Sequence, residues 1–262
     1  MNNLPAHPEL HPSMRMTRAQ KLARAEDKRR LVMDFLGSGE VYSTISVLAR
    51  LMGVSEQTAQ PVLKRLVEEK MLKVEKNAIP FSNLKLWGIS AHGLALTETS
   101  HPKCPEFSVG KTSASFVAHH IEGQHVRLDL ELAGWTNYIP GKLLMVENSQ
   151  RKNKCIADAQ VTRPDERLAA IEIERHVKSR ARLALVIAAH LQQIVEKRYE
   201  YVYYFTPHRV ALERAFLLVL AIRMDGAWVK LTAAHRSRFK ILDMDFFRKG
   251  RFNYSVIIDP TL

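Results

Sequence analysis

Cysteine is scarce in this chain: only Cys104 and Cys155 occur in 262 residues. Neither lies in a CxxC pair or at a ligand spacing from histidine, which excludes a disulfide framework and a structural zinc site as organising elements. Long apolar runs are missing too. Nothing approaches the roughly 18 apolar residues of a membrane span, and the run Ala215 to Ile222 is far too short. The start of the chain carries Pro5, Glu9 and Pro12 where a secretory leader would need an apolar segment. No Gly-rich Walker-type loop occurs, which argues against ATP use. Acidic residues are in deficit, 27 Asp and Glu against 39 Lys and Arg, for a formal net charge of +12. That excess points to a polyanionic partner in a cytoplasmic setting, because each Lys or Arg placed on a phosphate releases condensed counterions. What is plentiful is apolar residue, 46% of the chain, enough for one large or two small cores.

Residues 1–25 are rich in Pro, His and Arg with little apolar periodicity, and read as a flexible basic arm in which Arg15, Arg18, Lys21 and Arg24 suit phosphates. From Glu26 to Leu36 the residues Leu31, Val32 and Phe35 mark a helix, closed by Gly37-Ser38-Gly39. A second short helix spans Thr44 to Leu51. Met52-Gly53-Val54-Ser55 then supplies a glycine stop and a serine N-cap for a third helix reaching about Met71. Pro61 falls inside that third helix and removes one backbone donor. Leu72 to Lys76 alternates like a strand, a turn follows at Asn77 to Pro80, and Leu84 to Ile89 reads as the returning strand.

Three helices and a hairpin over residues 26–98 make a winged helix-turn-helix. In that geometry the third helix offers its first turns to the major groove of double-stranded DNA. Gln57, Thr58 and Gln60 are placed to read bases, Lys64 and Arg65 to hold phosphates, and Lys73, Lys76 and Lys85 to sit on the wing. A linker rich in turn signals runs from Thr97 to Gly110.

Residues 111–262 read as a second domain. A helix is predicted over Ser113 to Gly134, then strands at Leu143 to Val146, Cys155 to Val161 and Leu168 to Glu174. A helix at Val177 to Lys197 and a strand at Tyr201 to Phe205 follow. Helix around His208 to Arg214 then leads into an apolar strand, Ala215 to Ile222. The whole chain is therefore predicted to be α+β: a winged helix followed by an α/β domain with a central mixed sheet.

Asp158, Glu172 and Glu174 fall on neighbouring strands, the two glutamates on one face. Half-buried acids cost free energy unless paired or metal-bound, so an oxygen-rich site for Mg²⁺ or Mn²⁺ is predicted. Such a metal would activate a water against a phosphodiester, with Lys178, or Arg175 and Arg182, stabilising the developing charge. The competing interpretation pairs the acids with nearby Arg and Lys. Tyr199, Tyr201, Tyr203 and Tyr204 are better explained by strand preference than as nucleophiles. The basic, aromatic-interleaved segments Arg236 to Lys240 and Phe247 to Arg251 suit a single strand or a solvated face equally.

Trp87 to Gly93, the stretch His119 to Arg127, Ile156 to Ala159 and Ile171 to Arg175 occur in an order that resembles the plasmid replication-relaxation family, which includes MobC-type mobilisation relaxases. The resemblance covers about residues 40–220, with His119 and Arg127 matching best. The second domain is similar in layout to PD-(D/E)XK nucleases, which implies that Asp158 and Glu172 are metal ligands. Glu174 stands where those nucleases carry Lys, with Lys178 as the substitute, and Ala157 stands where they carry Pro. The resemblance implies a metal-dependent nickase or relaxase acting at a plasmid origin of transfer, with an accessory mobilisation protein. The Glu174 departure favours the alternative, a non-catalytic winged-helix regulator of plasmid replication or transcription.

Overall fold

A computed structural model describes residues 16–76, 83–108, 110, 114–147 and 157–244. The chain is α+β, and its main sheet is mixed. Thr17 opens helix α1 (Arg18–Phe35) with a capping box, its hydroxyl accepting from the Gln20 amide while Gln20 accepts from the Thr17 amide. The helix thus begins inside the segment predicted to be a flexible arm. A wide turn, Leu36–Glu40, leads to strand β1 (Tyr42–Thr44), helix α2 (Ile45–Leu51) and helix α3 (Glu56–Glu68). Ser55 caps α3 by accepting from the Thr58 amide, and Pro61 is tolerated on its exposed side.

Strands β2 (Leu72–Glu75) and β3 (Leu86–Ile89) complete an antiparallel sheet in the order β1-β3-β2. The predicted turn at Asn77 to Pro80 lies outside the described residues. Val32, Leu36, Val47, Leu48, Leu63, Leu66 and Ile89 close the core of this first unit. The segment after helix α4 (Ala91–Leu96) is packed rather than a free linker. Phe107 lies on Gly88 so closely that a Cβ there would meet its ring at 2.1 Å, and its amide donates to the Ile89 carbonyl.

The second unit starts with helix α5 (Ala114–Leu132). Strand β4 (Thr136–Pro140), helix α6 (Gly141–Glu147), and strands β5 (Ala159–Thr162) and β6 (Leu168–Ile173) follow. The strand predicted at Leu143 to Val146 is therefore helix, and the strand itself lies just before it. Helix α7 (Arg180–Val195) crosses to strand β7 (Tyr201–Thr206), parallel to β6. Helix α8 (Arg209–Leu218), a hairpin of β8 (Ala221–Met224) and β9 (Ala227–Lys230), and helix α9 (Ala233–Arg236) lead to β10 (Phe239–Asp243), parallel to β7. The predicted apolar strand from Ala215 is thus split, its first half belonging to α8.

The five strands run β10-β7-β6-β5-β4, with β4, β5 and β6 an antiparallel meander. Alternation sorts the faces: Ala169, Ile171, Ile173, Tyr203 and Phe205 meet α5, while Ala170, Val202 and Tyr204 meet α7 and α8. Helix α5 is shared by both units. Val126 and Leu130 pack on the sheet, whereas Leu128 enters the core of the first unit.

Candidate nucleic-acid interface and acidic cleft

Helix α3 buries Ala59, Leu63 and Leu66 and turns Gln57, Thr58, Lys64 and Arg65 to solvent. Gln60 is half-buried. The Arg65 guanidinium donates to Glu69 at 2.9 Å, and Glu69 also receives Arg29 of α1, so the two arginines pull its carboxyl down to about 2. Lys76 is exposed at the end of β2. Lys73 is paired on the surface, its ammonium donating to Glu106 and to the Phe107 carbonyl. The α3 surface therefore presents two polar side chains and a lysine in its first three turns, flanked by a buffered arginine.

The acids predicted to hold metal are divided among three partners. Ala159 of β5 pairs with Ile171 of β6, so Asp158 and Glu172 follow one step beyond that pair on adjacent strands. The Asp158 carboxylate turns to α5, accepting the Ile173 amide at 2.7 Å and lying 3.3 Å from His119 Nε2. Glu172 reaches the α7 layer, where its carboxylate comes within 3.3 Å of the buried His190. Burial raises the Glu172 carboxyl above its ordinary range, and the neighbouring His190 opposes that rise. Glu174 is buried and paired with Lys178 within the turn that links β6 to α7, so Lys178 holds an acid rather than facing open space. Arg175 reaches Glu122 of α5 at 3.2 Å, and Arg182 is exposed on α7.

Among the described residues, no group of three or more His, Cys, Asp or Glu side chains converges as metal ligands. The residues present do not fit the predicted Mg²⁺ or Mn²⁺ site. The prediction of a metal-dependent DNA endonuclease is corrected accordingly: Asp158 pairs with His119, Glu172 faces His190 and Glu174 pairs with Lys178.

Between α5, β4, α6 and the turn before β1 lies a cleft of about 190 Å³. Asp158, His119, Tyr138, Phe116, Lys142 and Glu40 line it. His119 is held above the ordinary histidine value by Asp158, against the effect of burial. Lys142 stands at the rim with its ammonium 4.9 Å from the Tyr42 ring. Behind the cleft a buried polar network joins the two units. Glu40, 2% exposed, receives Arg127 at 3.0 Å, and Gln124 accepts from the Ser43 hydroxyl while donating to the Tyr42 carbonyl and to Glu40. Arg127, which the family resemblance singles out, also stacks over Phe35 and Tyr138 and binds Glu131. Its role here is to join the units. Sequence reasoning passed over Glu40, because an acid after Gly-Ser-Gly reads as a solvated turn residue.

No protein-family model matches the chain, and no curated protein matches it. Among solved structures, CalO1, a methyltransferase in calicheamicin biosynthesis in its SAH-bound form, is similar at 14% identity and a TM-score of 0.19. The match covers 89% of this chain and 68% of that one. That protein is a methyltransferase and not a nuclease, but so slight a likeness carries no argument, and the correction above rests on the carboxylates. No helix among the described residues is long and apolar enough to cross a membrane.

Proposed function

We propose that the chain is a non-catalytic DNA-binding regulator, a winged helix-turn-helix carried on a nuclease-like scaffold that does no chemistry. One observation carries this reading: the exposed first turns of α3, with Gln57, Thr58 and Lys64, stand clear of the core beside a three-stranded antiparallel sheet. That is the arrangement in which a recognition helix enters a major groove and a hairpin flanks it. The net charge of +12 supports a duplex as the partner. The β4-β5-β6 meander followed by the parallel α7 crossover supports a nuclease-like ancestry for the scaffold, and the neutralised acids support its inactivity. The resemblance to the plasmid replication-relaxation family agrees with a regulator acting near a plasmid origin.

Titrating a labelled duplex with the full chain tests this directly. Non-specific association near ~10⁻⁶ M, weakening steeply with salt, is the expected result. Replacing Gln57 and Lys64 by Ala should weaken binding about tenfold or more, each lost base or phosphate contact being worth about 1–3 kcal/mol. Absence of any duplex binding would overturn the reading. So would a melting-temperature rise with Mn²⁺ that Asp158→Ala abolishes, since a bound ion stabilises only a site that the folded state offers.

A further inference from the structure

The first half of α1 stands apart from every core of the molecule. Residues 18–27 are all exposed, and Leu22 is their only large apolar side chain. A helix with so little apolar surface has no seam for a coiled coil and no face for a lipid interior. It carries a basic stripe instead. Arg18, Lys21, Arg24 and Lys28 follow one another at spacings of three and four, which places them along one side of a helix. The acids of this stretch do not cancel the stripe: Glu26 lies 3.3 Å from Arg29, and Asp27 lies 3.2 Å from Arg30.

Two further features make the stripe a rigid surface. The Thr17–Gln20 capping box fixes where the helix begins, so the charges are arrayed before any partner arrives. Arg29 reaches Glu69 at the end of α3, donating at 2.9 Å, and so sets the direction in which α1 leaves the first unit.

We infer that the projecting half of α1 is a second phosphate-binding surface, and that its partner is the backbone of the duplex engaged by α3. The inference rests on the DNA-binding reading above and extends the contact beyond the groove. From Arg18 to Lys28 the helix rises about 15 Å, a length over which duplex DNA presents roughly nine phosphates. Side chains on a preformed helix meet these charges without the ordering cost that a disordered arm would carry. The contact is with backbone only, so it adds affinity and salt sensitivity evenly across sequences.

Three full-length proteins test the inference against a labelled duplex of about 30 base pairs over a range of salt. They are the wild type, the α1 variant Arg18→Gln/Lys21→Gln/Arg24→Gln/Lys28→Gln, and the α3 variant Gln57→Ala/Lys64→Ala. Glutamine keeps helix propensity close to that of Lys and Arg, and an unchanged circular-dichroism spectrum confirms that α1 persists. The α1 variant is expected to bind at least tenfold more weakly at ~0.1 M salt, with a log–log salt slope shallower by about two or more. An unchanged slope in the α1 variant, with the α3 variant impaired, overturns this inference alone. Wild-type protein that does not bind the duplex overturns the DNA-binding reading and the inference with it. Loss of binding to anionic lipid vesicles in the α1 variant, with duplex binding intact, would reassign the stripe to a membrane surface and also overturn it.

Discussion

His119 and His120 are chain neighbours with opposite proton affinities. His119 faces the Asp158 carboxylate and the Ile173 carbonyl, and Asp158 raises it above the ordinary value of about 6.5. His120 is largely enclosed beside Tyr42 and Gln124, and burial lowers it although Glu40 pulls the other way. The signs then differ. The His119–Asp158 pair contributes stability that is present below the unfolded histidine value and is lost as pH rises through the raised one. Neutral His120 contributes stability that is present above the unfolded value and is lost as pH falls toward the depressed one. Histidine-resolved NMR titration should place the two midpoints on opposite sides of 6.5, with Asp158→Asn lowering that of His119 only. A shared midpoint would mean that the cleft is open to water around both rings. The sequence marks both histidines but not this difference, because the faces of α5 are set by what packs on them. In the same way Asp158, Glu172 and Glu174 are legible as clustered acids, whereas their separate partners, His119, His190 and Lys178, depend on packing that no spacing reveals.

At the scale of elements, α5 joins the molecule together, and the joint is polar. Asp129 is fully buried, and its charge is met by Arg50 of α2, which also donates to the His125 carbonyl at 3.3 Å. An acid so placed cannot lose its cation cheaply. Arg50→Met should destabilise the chain by about 3–5 kcal/mol, while Arg50→Met with Asp129→Leu should recover most of that loss. Urea midpoints for the two variants and the wild type measure it, and an Arg50→Met midpoint equal to that of the wild type would show that the pair contributes nothing. How well each element is legible follows from its length and pattern. The apolar stripe of α7 and the aromatic run of β7 are both long enough to decide their type. Leu143 to Val146 is not, because a short apolar run fits strand or helix equally. The outcome is decided by packing: Leu143 and Leu144 are buried, and Met145 and Val146 are exposed, as on a helix. Strand β4 is concealed by its composition, an edge strand with exposed Thr136 and Asn137 and a terminal proline. The three helices and hairpin of the first unit are legible because each boundary carries its own signal, above all Gly53 and Ser55.

For the whole molecule, the question is whether two units sharing one helix fold as two or as one. Leu128 of α5 lies in the first core, Val126 and Leu130 lie in the second, and Glu40, Gln124, Arg127 and Asp129 cross between them. Unfolding either unit alone would strip one side of α5, expose its apolar residues and part these charges from their partners. Cooperativity should therefore extend across the chain. The three tryptophans allow a direct measurement, since Trp87 is buried in the first unit at 5% exposure, Trp135 is buried in the second at 1%, and Trp228 lies in the hairpin at 75%. With Trp228→Phe as background, variants keeping only Trp87 or only Trp135 report on each unit separately. Their urea transitions should coincide with each other and with the loss of helical circular dichroism, once each is corrected for its own change in stability. If the Trp87 signal were lost first, the first unit would open while the five-stranded sheet stayed folded. The buried network would then be a latch between independent domains rather than part of a single core.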